Sequence, residues 1–225
     1  MKSILLQASL RWSLGLEEIV NGRQVATLTL DDPVLAAYGG ACAMKYEPRA
    51  AEHVKRYLET HDGKTADEQQ TNNPSLLKDL HKLATLQAPT FLIMMSTELR
   101  SRLTQEQYEA VMEHERGHVH HGHNEEAPDG THEQFIRREK EADAYAASKT
   151  SAQAMIEGLE IALKFGAEQQ TLWASGMTSP FIRKLYEQDA IDRKTLKQVL
   201  IQNRTAHIER FHELQRLIKE KNKAA

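Results

Sequence analysis

The segment Met112-Glu113-His114-Glu115-Arg116-Gly117-His118 contains the pattern H-E-x-x-H. On a helix, residues four apart lie one turn apart on the same face. His114 and His118 would then aim two imidazoles at one point, as two zinc ligands require. Glu115 stands beside them and can reach a water at the metal as a general base without itself being a ligand. A catalytic zinc takes three protein ligands and leaves a fourth position for water. Carboxylates for the third place stand further on, in Arg138-Glu139-Lys140-Glu141-Ala142-Asp143-Ala144-Tyr145-Ala146. The chain carries 11 His, about twice an average share. The spacing alone therefore decides little, and the surrounding elements carry the weight.

Those elements are consistent with the chemistry. Thr104 followed by Gln107 is a capping box that opens a helix. Tyr108, Val111, Met112, Glu115 and Val119 continue it at helical spacing, and it should stop near Gly122. A loop with Pro128-Asp129-Gly130 follows. Thr131 with Gln134 is a second capping box, opening a helix through Phe135, Ile136, Glu139 and Asp143 to about Ala147. Upstream, Thr90 to Met95 is a short β-prone run after Pro89. Val25 to Leu30 is another, ending at the turn signal Asp31-Asp32-Pro33, and Gly39-Gly40 is a break. Residues 48–61 and 75–86 read as helices around a polar loop at 62–74. Ser151 to about Phe165 is an amphipathic helix, and Trp173 and Gly176 sit in a break. Residues 180–187 and 192–219 read as two further helices. The predicted fold is α+β and predominantly helical, with a small β-sheet beside the H-E-x-x-H helix and a helical C-terminal part.

H-E-x-x-H followed by E-x-x-x-D on the next helix resembles the gluzincin zinc metallopeptidases. The nearest likenesses are the CAAX prenyl protease and heat-shock membrane protease group, the BlaR-type sensor peptidases and the ImmA-type anti-repressor peptidases. The stretch from Ser96 through His123 is similar to their lead-in and H-E-x-G-H core, and Glu139 to Asp143 to their E-x-E-A-D/N segment. The resemblance spans about residues 87–150. It implies a zincin-like domain over residues 1–170 with its core motifs at 87–150, and a helical extension packed on it over 171–225. It also implies Zn2+ held by His114, His118 and Glu139, with Glu115 as the base. Asp143 would orient a histidine ligand. Glu141 competes with Glu139 for the third place. Two residues apart on a helix the two face different ways, which favours Glu139. The implied activity is a zinc-dependent endopeptidase acting on a protein or peptide substrate, with Thr90 to Met95 as the edge strand along which the substrate lies. An alternative is a zinc-containing regulatory or partner-binding protein with little proteolysis. A third is sequestration of metal by the histidine cluster.

The chain departs from these groups in two respects. No apolar stretch approaches the roughly 20 residues that a membrane span needs, whereas two of the groups are membrane-embedded. The membrane group's downstream Ser/Thr-His-Pro…Arg segment has no clean counterpart, since His207 and Arg210 are wrongly spaced. A metzincin would need Gly at 121 and His at 124, where this chain has His121 and Asn124.

The remaining candidates have plainer readings. His120, His121 and His123 read as solvated residues at a helix end, with an auxiliary metal role as the sharper alternative. His53, His61, His81 and His132 read as surface residues. His207 and His212 are candidates for stabilising an oxyanion or members of an ordinary helix face, and Tyr145 and Tyr186 are undecided. Cys42 reads as a small buried hydrophobe, against a thiolate that blocks the zinc in a latent form. The 225 residues hold 29 basic and 32 acidic side chains, a net charge of -3. That argues against nucleic acid as a partner. One cysteine excludes an internal disulfide framework. With no signal-peptide pattern at the N-terminus, it suggests a cytoplasmic location.

Overall fold

The computed structural model describes residues 12–30, 35, 40–46, 90–127, 129, 131–174 and 193–224. The expected helices over 48–61, 75–86 and 180–187, the loop at 62–74, and His53, His61, His81 and Tyr186 lie outside these residues.

Strands β1 (Trp12–Val20) and β2 (Arg23–Leu30) form an antiparallel hairpin. Its turn is Asn21–Gly22, with φ of 48° and 76°. Both angles are positive, as a type I′ hairpin turn needs, and Asn-Gly adopts them at least strain. β3 (Ala41–Tyr46) and β4 (Thr90–Ser96) complete a four-stranded sheet in the order β1-β2-β4-β3. β4 runs parallel to β2 and antiparallel to β3.

This order corrects the expectation that Thr90 to Met95 is an edge strand. β4 is paired on both sides along its length. Phe91, Leu92, Ile93 and Met95 are buried, so both of its faces are covered. A continuous apolar run without alternation is the pattern of such an interior strand. Among the described strands, the edges are β1 and β3. Ala41 and Ala43 pack on the core cluster formed by Phe91, Ile93, Met95, Val111, Met112 and Val119. Side chains alternate along a strand, so Cys42 points to the opposite face of the sheet from the H-E-x-x-H helix. That geometry speaks against a latent thiolate on the metal.

Among the described residues, five helices follow. The short α1 (Thr97–Arg102) is capped by Ser96. α2 (Gln105–His121) starts at the expected capping box: Thr104 Oγ1 accepts from the Gln107 N–H, and the Gln107 side chain accepts from the Thr104 N–H. It ends at Gly122, in the left-handed region with φ of 75°. α3 (His132–Lys149) is capped by Thr131. Only half of the second expected box forms, because the Gln134 side chain accepts from the Asp129 N–H instead. α4 (Ala152–Ala174) runs past the expected stop at Phe165 and takes in Trp173. α5 (Arg193–Ala224) is the C-terminal helix.

Among the described residues, two core clusters hold these elements together. One lies between the sheet, α2 and Phe165 of α4. The other joins Ala110 of α2, Ala146 of α3, Met155 and Leu159 of α4, and Leu214 of α5. α2 and α3 cross closely at Gly117, where an added Cβ would lie 2.8 Å from the Cα of Ala142. Glycine there lets the backbone of α3 come close. No helix among the described residues is long and apolar enough to cross a membrane.

Candidate active site

α2 presents His114 and His118 one turn apart, facing α3. Their Nε2 atoms are 3.1 Å from each other. The Glu139 carboxylate on α3 lies 3.6 Å from His114 Nε2 and 3.5 Å from His118 Nε2. A tetrahedral ion with bonds of about 2.0–2.1 Å would hold its ligand atoms about 3.3 Å apart. The three distances bracket that value, and these residues form a group whose ligand atoms all lie within 4.8 Å of one another. Two imidazole nitrogens and a carboxylate oxygen are borderline donors of the kind zinc takes. The residues present therefore fit such an ion.

Charge at the site follows from burial. His114 is 6% exposed and Glu115 is 7% exposed. Burial is the largest influence on His118 and outweighs the pull of Glu139, taking its pKa down to about 3. The ring is then neutral with a lone pair to give. Burial also disfavours charge on His114, but the Asp143 and Glu139 carboxylates move that group upward overall. Glu139 is opposed by burial, yet the Arg210 guanidinium and the two histidines hold it below the usual carboxylate range. Burial pushes Glu115 up to about 7, against the opposing pull of His114 and of a hydrogen bond from the Ala43 backbone. A carboxyl tuned towards neutrality suits general-base work.

A polar side chain stands behind each histidine. His114 Nδ1 lies 2.8 Å from Asp143 Oδ1. His118 Nδ1 lies 2.9 Å from His123 Nδ1, and His123 Nε2 lies 2.8 Å from Glu141 Oε2. Glu141 thus reaches the far side of the histidine pair, as its two-residue offset from Glu139 requires. Sequence reading missed the role of His123. The residue is buried, at 5% exposure, and is no solvated helix end. His121 is exposed, while His120 packs its ring on Tyr145, with centroids 4.7 Å apart. His132 opens α3.

Arg210, set aside for its spacing, comes from α5 into the centre of the site. Its Nη1 is 2.6 Å from Glu139 Oε2. Its Nε and Nη2 donate to the two oxygens of Asp143, each at 2.8 Å. The forked pair holds Asp143 well below the usual carboxylate range despite burial. His207 lies one turn earlier and is half-buried. Its Nδ1 is buried with no hydrogen-bond partner among the described residues. His212 is exposed, a poor position for an oxyanion donor.

β3 meets the site at Ala43. Its N–H donates to Glu115, and its carbonyl accepts from Asn124 Nδ2 at 2.8 Å. Both groups therefore face away from β4. The tip of the β1–β2 hairpin is tied to the end of α2: Asn21 Nδ2 donates to the His120 carbonyl at 2.9 Å. Arg23 pairs with Glu125, and Arg116 with Glu18.

A helix with two converging histidines, a carboxylate from the next helix and a sheet alongside is an arrangement that a metallopeptidase can use. The family model of Peptidase family M48, a gluzincin-type zinc metallopeptidase family, matches residues 86–135. That stretch carries β4, α1, the whole of α2 and the opening of α3. It marks the chain as a metalloprotease-type hydrolase. The match stops four residues before Glu139, so Glu139, Asp143 and Arg210 rest on geometry. No curated protein and no solved structure matches the chain.

Proposed function

We propose that the protein is a zinc-dependent endopeptidase in which His114, His118 and Glu139 hold the ion and Glu115 is the general base. The observation that carries this reading is the convergence of three donors at tetrahedral spacing beside a buried carboxyl tuned to about 7. Zinc bound there would supply a Lewis acid that polarises the scissile carbonyl and acidifies an attacking water. Glu115 accepts the proton that water loses and delivers it to the departing amine. The Ala43 N–H holds the Glu115 carboxylate in place for both transfers. Asp143 fixes the His114 ring, and Arg210 keeps both Glu139 and Asp143 ionised.

An extended protein or peptide substrate would add to the edge strand β3, not to β4. A cytoplasmic location belongs to the same reading and is supported by the lone cysteine. A boundary at residue 170 would fall inside α4, and the C-terminal part does more than pack on the catalytic part, since it supplies Arg210 to the site.

The test is Glu115→Gln. It should retain zinc and lose peptide hydrolysis by roughly 10²- to 10⁴-fold, the usual worth of a general base. If zinc stays bound and biological activity survives, the protein acts as a zinc-containing regulator rather than a protease. Against sequestration by the histidine cluster, His114, His118 and Glu139 are the one group of three converging ligands among the described residues.

A further inference from the structure

α2 ends in a Schellman motif. The His123 N–H donates to the His118 carbonyl at 3.0 Å, and the Gly122 N–H to the Val119 carbonyl at 3.1 Å. Gly122 holds the left-handed conformation that this turn needs, with φ of 75°. Such a turn folds the residue after the glycine back onto the helix residue five before it, usually to make an apolar contact. Here the two residues are His123 and His118. The contact is polar, ring nitrogen to ring nitrogen, with the ring centroids 5.1 Å apart.

The bonds at both ends fix the proton positions. A ring that gives its Nε2 lone pair to a metal carries its hydrogen on Nδ1. His118 Nδ1–H then donates to His123 Nδ1. That leaves the hydrogen of His123 on Nε2, which donates to the Glu141 carboxylate 2.8 Å away. Glu141 is itself held by Arg137, whose Nη1 donates to the same oxygen at 2.8 Å. No other arrangement of hydrogens on two neutral rings satisfies both contacts while leaving His118 Nε2 free.

We propose that His123 is a positioning residue for the metal site: it fixes the orientation and tautomer of His118 and relays to it the Glu141 carboxylate. The two ligand histidines are thus oriented in different ways. His114 faces a carboxylate directly, whereas His118 faces one through an intervening imidazole. The relay explains why a histidine follows Gly122 where an apolar residue would serve the turn better. It also gives Glu141 a role that needs no contact with the metal. This inference rests on the proposed zinc site and deepens it.

Zn2+ affinity, measured by competition with a chromogenic chelator, tests it in the full chain. His118→Ala is the control on the site itself and should abolish tight binding. His123→Leu supplies the apolar contact usual in this turn and removes the acceptor. It should weaken zinc affinity about 10- to 100-fold, the usual effect of losing a ligand's hydrogen-bond partner, while the metal-free melting temperature holds or rises. His123→Asn returns an acceptor to the Nδ1 position and should recover most of the affinity. Glu141→Ala, at a partly exposed residue, should give a smaller loss in the same direction, and it decides the matter if His123→Leu does not fold. If His118→Ala binds as tightly as wild type, the zinc site itself is wrong. If His118→Ala fails to bind while His123→Leu or its stand-in binds like wild type, the relay is overturned. An Asn variant no better than Leu would equally overturn it.

Discussion

At the scale of single residues, Glu115 is the most exposed to test. Its pKa in the metal-free fold, about 7, lies above the ordinary 4.5 of the unfolded chain. The fold therefore binds this proton more tightly than the unfolded chain does. The associated stability is complete below about pH 4.5 and is lost as pH rises through about 7. The loss is on the order of 3 kcal/mol, at about 1.4 kcal/mol per pH unit. Urea unfolding of the chelated protein should show wild type losing that much relative to Glu115→Gln between about pH 5 and about pH 8. Equal slopes in the two proteins would contradict the buried, proton-binding Glu115. His114, Glu115 and His118 were legible because helical period alone brings i and i+4 together. That Glu139 rather than Glu141 lies beside the two histidines was legible from the same period. Arg210 was not, because its 67-residue separation from Asp143 is closed only by packing of α5. His123 left one usable signal, a glycine at the helix end followed by a residue that must fold back.

At the scale of elements, the site depends on how near α3 and β3 come to α2. Gly117→Ala would place a methyl 2.8 Å from the Ala142 Cα. The neighbour is backbone and has no side chain to move aside. The helices must part, at a cost of about 1–3 kcal/mol, and Glu139 must withdraw from the histidines. A lower melting temperature together with weaker zinc binding is expected, and unchanged zinc affinity would show that Glu139 is not a ligand. Ala43→Pro probes the other side. The Ala43 N–H faces Glu115, not β4, so an edge strand can accept proline there. Losing a donor to the carboxylate raises its pKa. The acid limb of the pH–rate profile should move to higher pH with the sheet intact, and an unmoved limb would exclude this bond from the mechanism. The capping boxes predicted both starts, although at Thr131 only one half forms. The interior place of β4 was readable in its unbroken apolar run. So was the β1–β2 turn in Asn21–Gly22, a pair the sequence reading passed over. Pairing partners are set by tertiary contacts and were not readable.

At the scale of the whole molecule, the last described helix completes the site begun by α2. Arg210 is 8% exposed and bonds the buried Asp143 and the partly buried Glu139. Removing one partner of a buried ionic group leaves the others uncompensated, at about 3–5 kcal/mol. Arg210→Met should destabilise the metal-free protein by that order. Zinc would offset part of the loss, because it replaces the cation beside Glu139. Thermal melts with and without zinc should show a larger zinc-induced rise in the variant than in wild type. An equal rise would separate Arg210 from the metal site.

The central claim is that one zinc ion sits between His114, His118 and Glu139 and serves hydrolysis through Glu115. The most direct measurement is zinc content of purified wild type, His114→Ala, Glu139→Gln and Glu115→Gln, taken beside peptide hydrolysis by the same samples. Wild type and Glu115→Gln should each hold about one zinc per chain, the two ligand variants little, and wild type alone should hydrolyse the peptide. Zinc retained at wild-type level in both ligand variants, or full hydrolysis by Glu115→Gln, would contradict that claim.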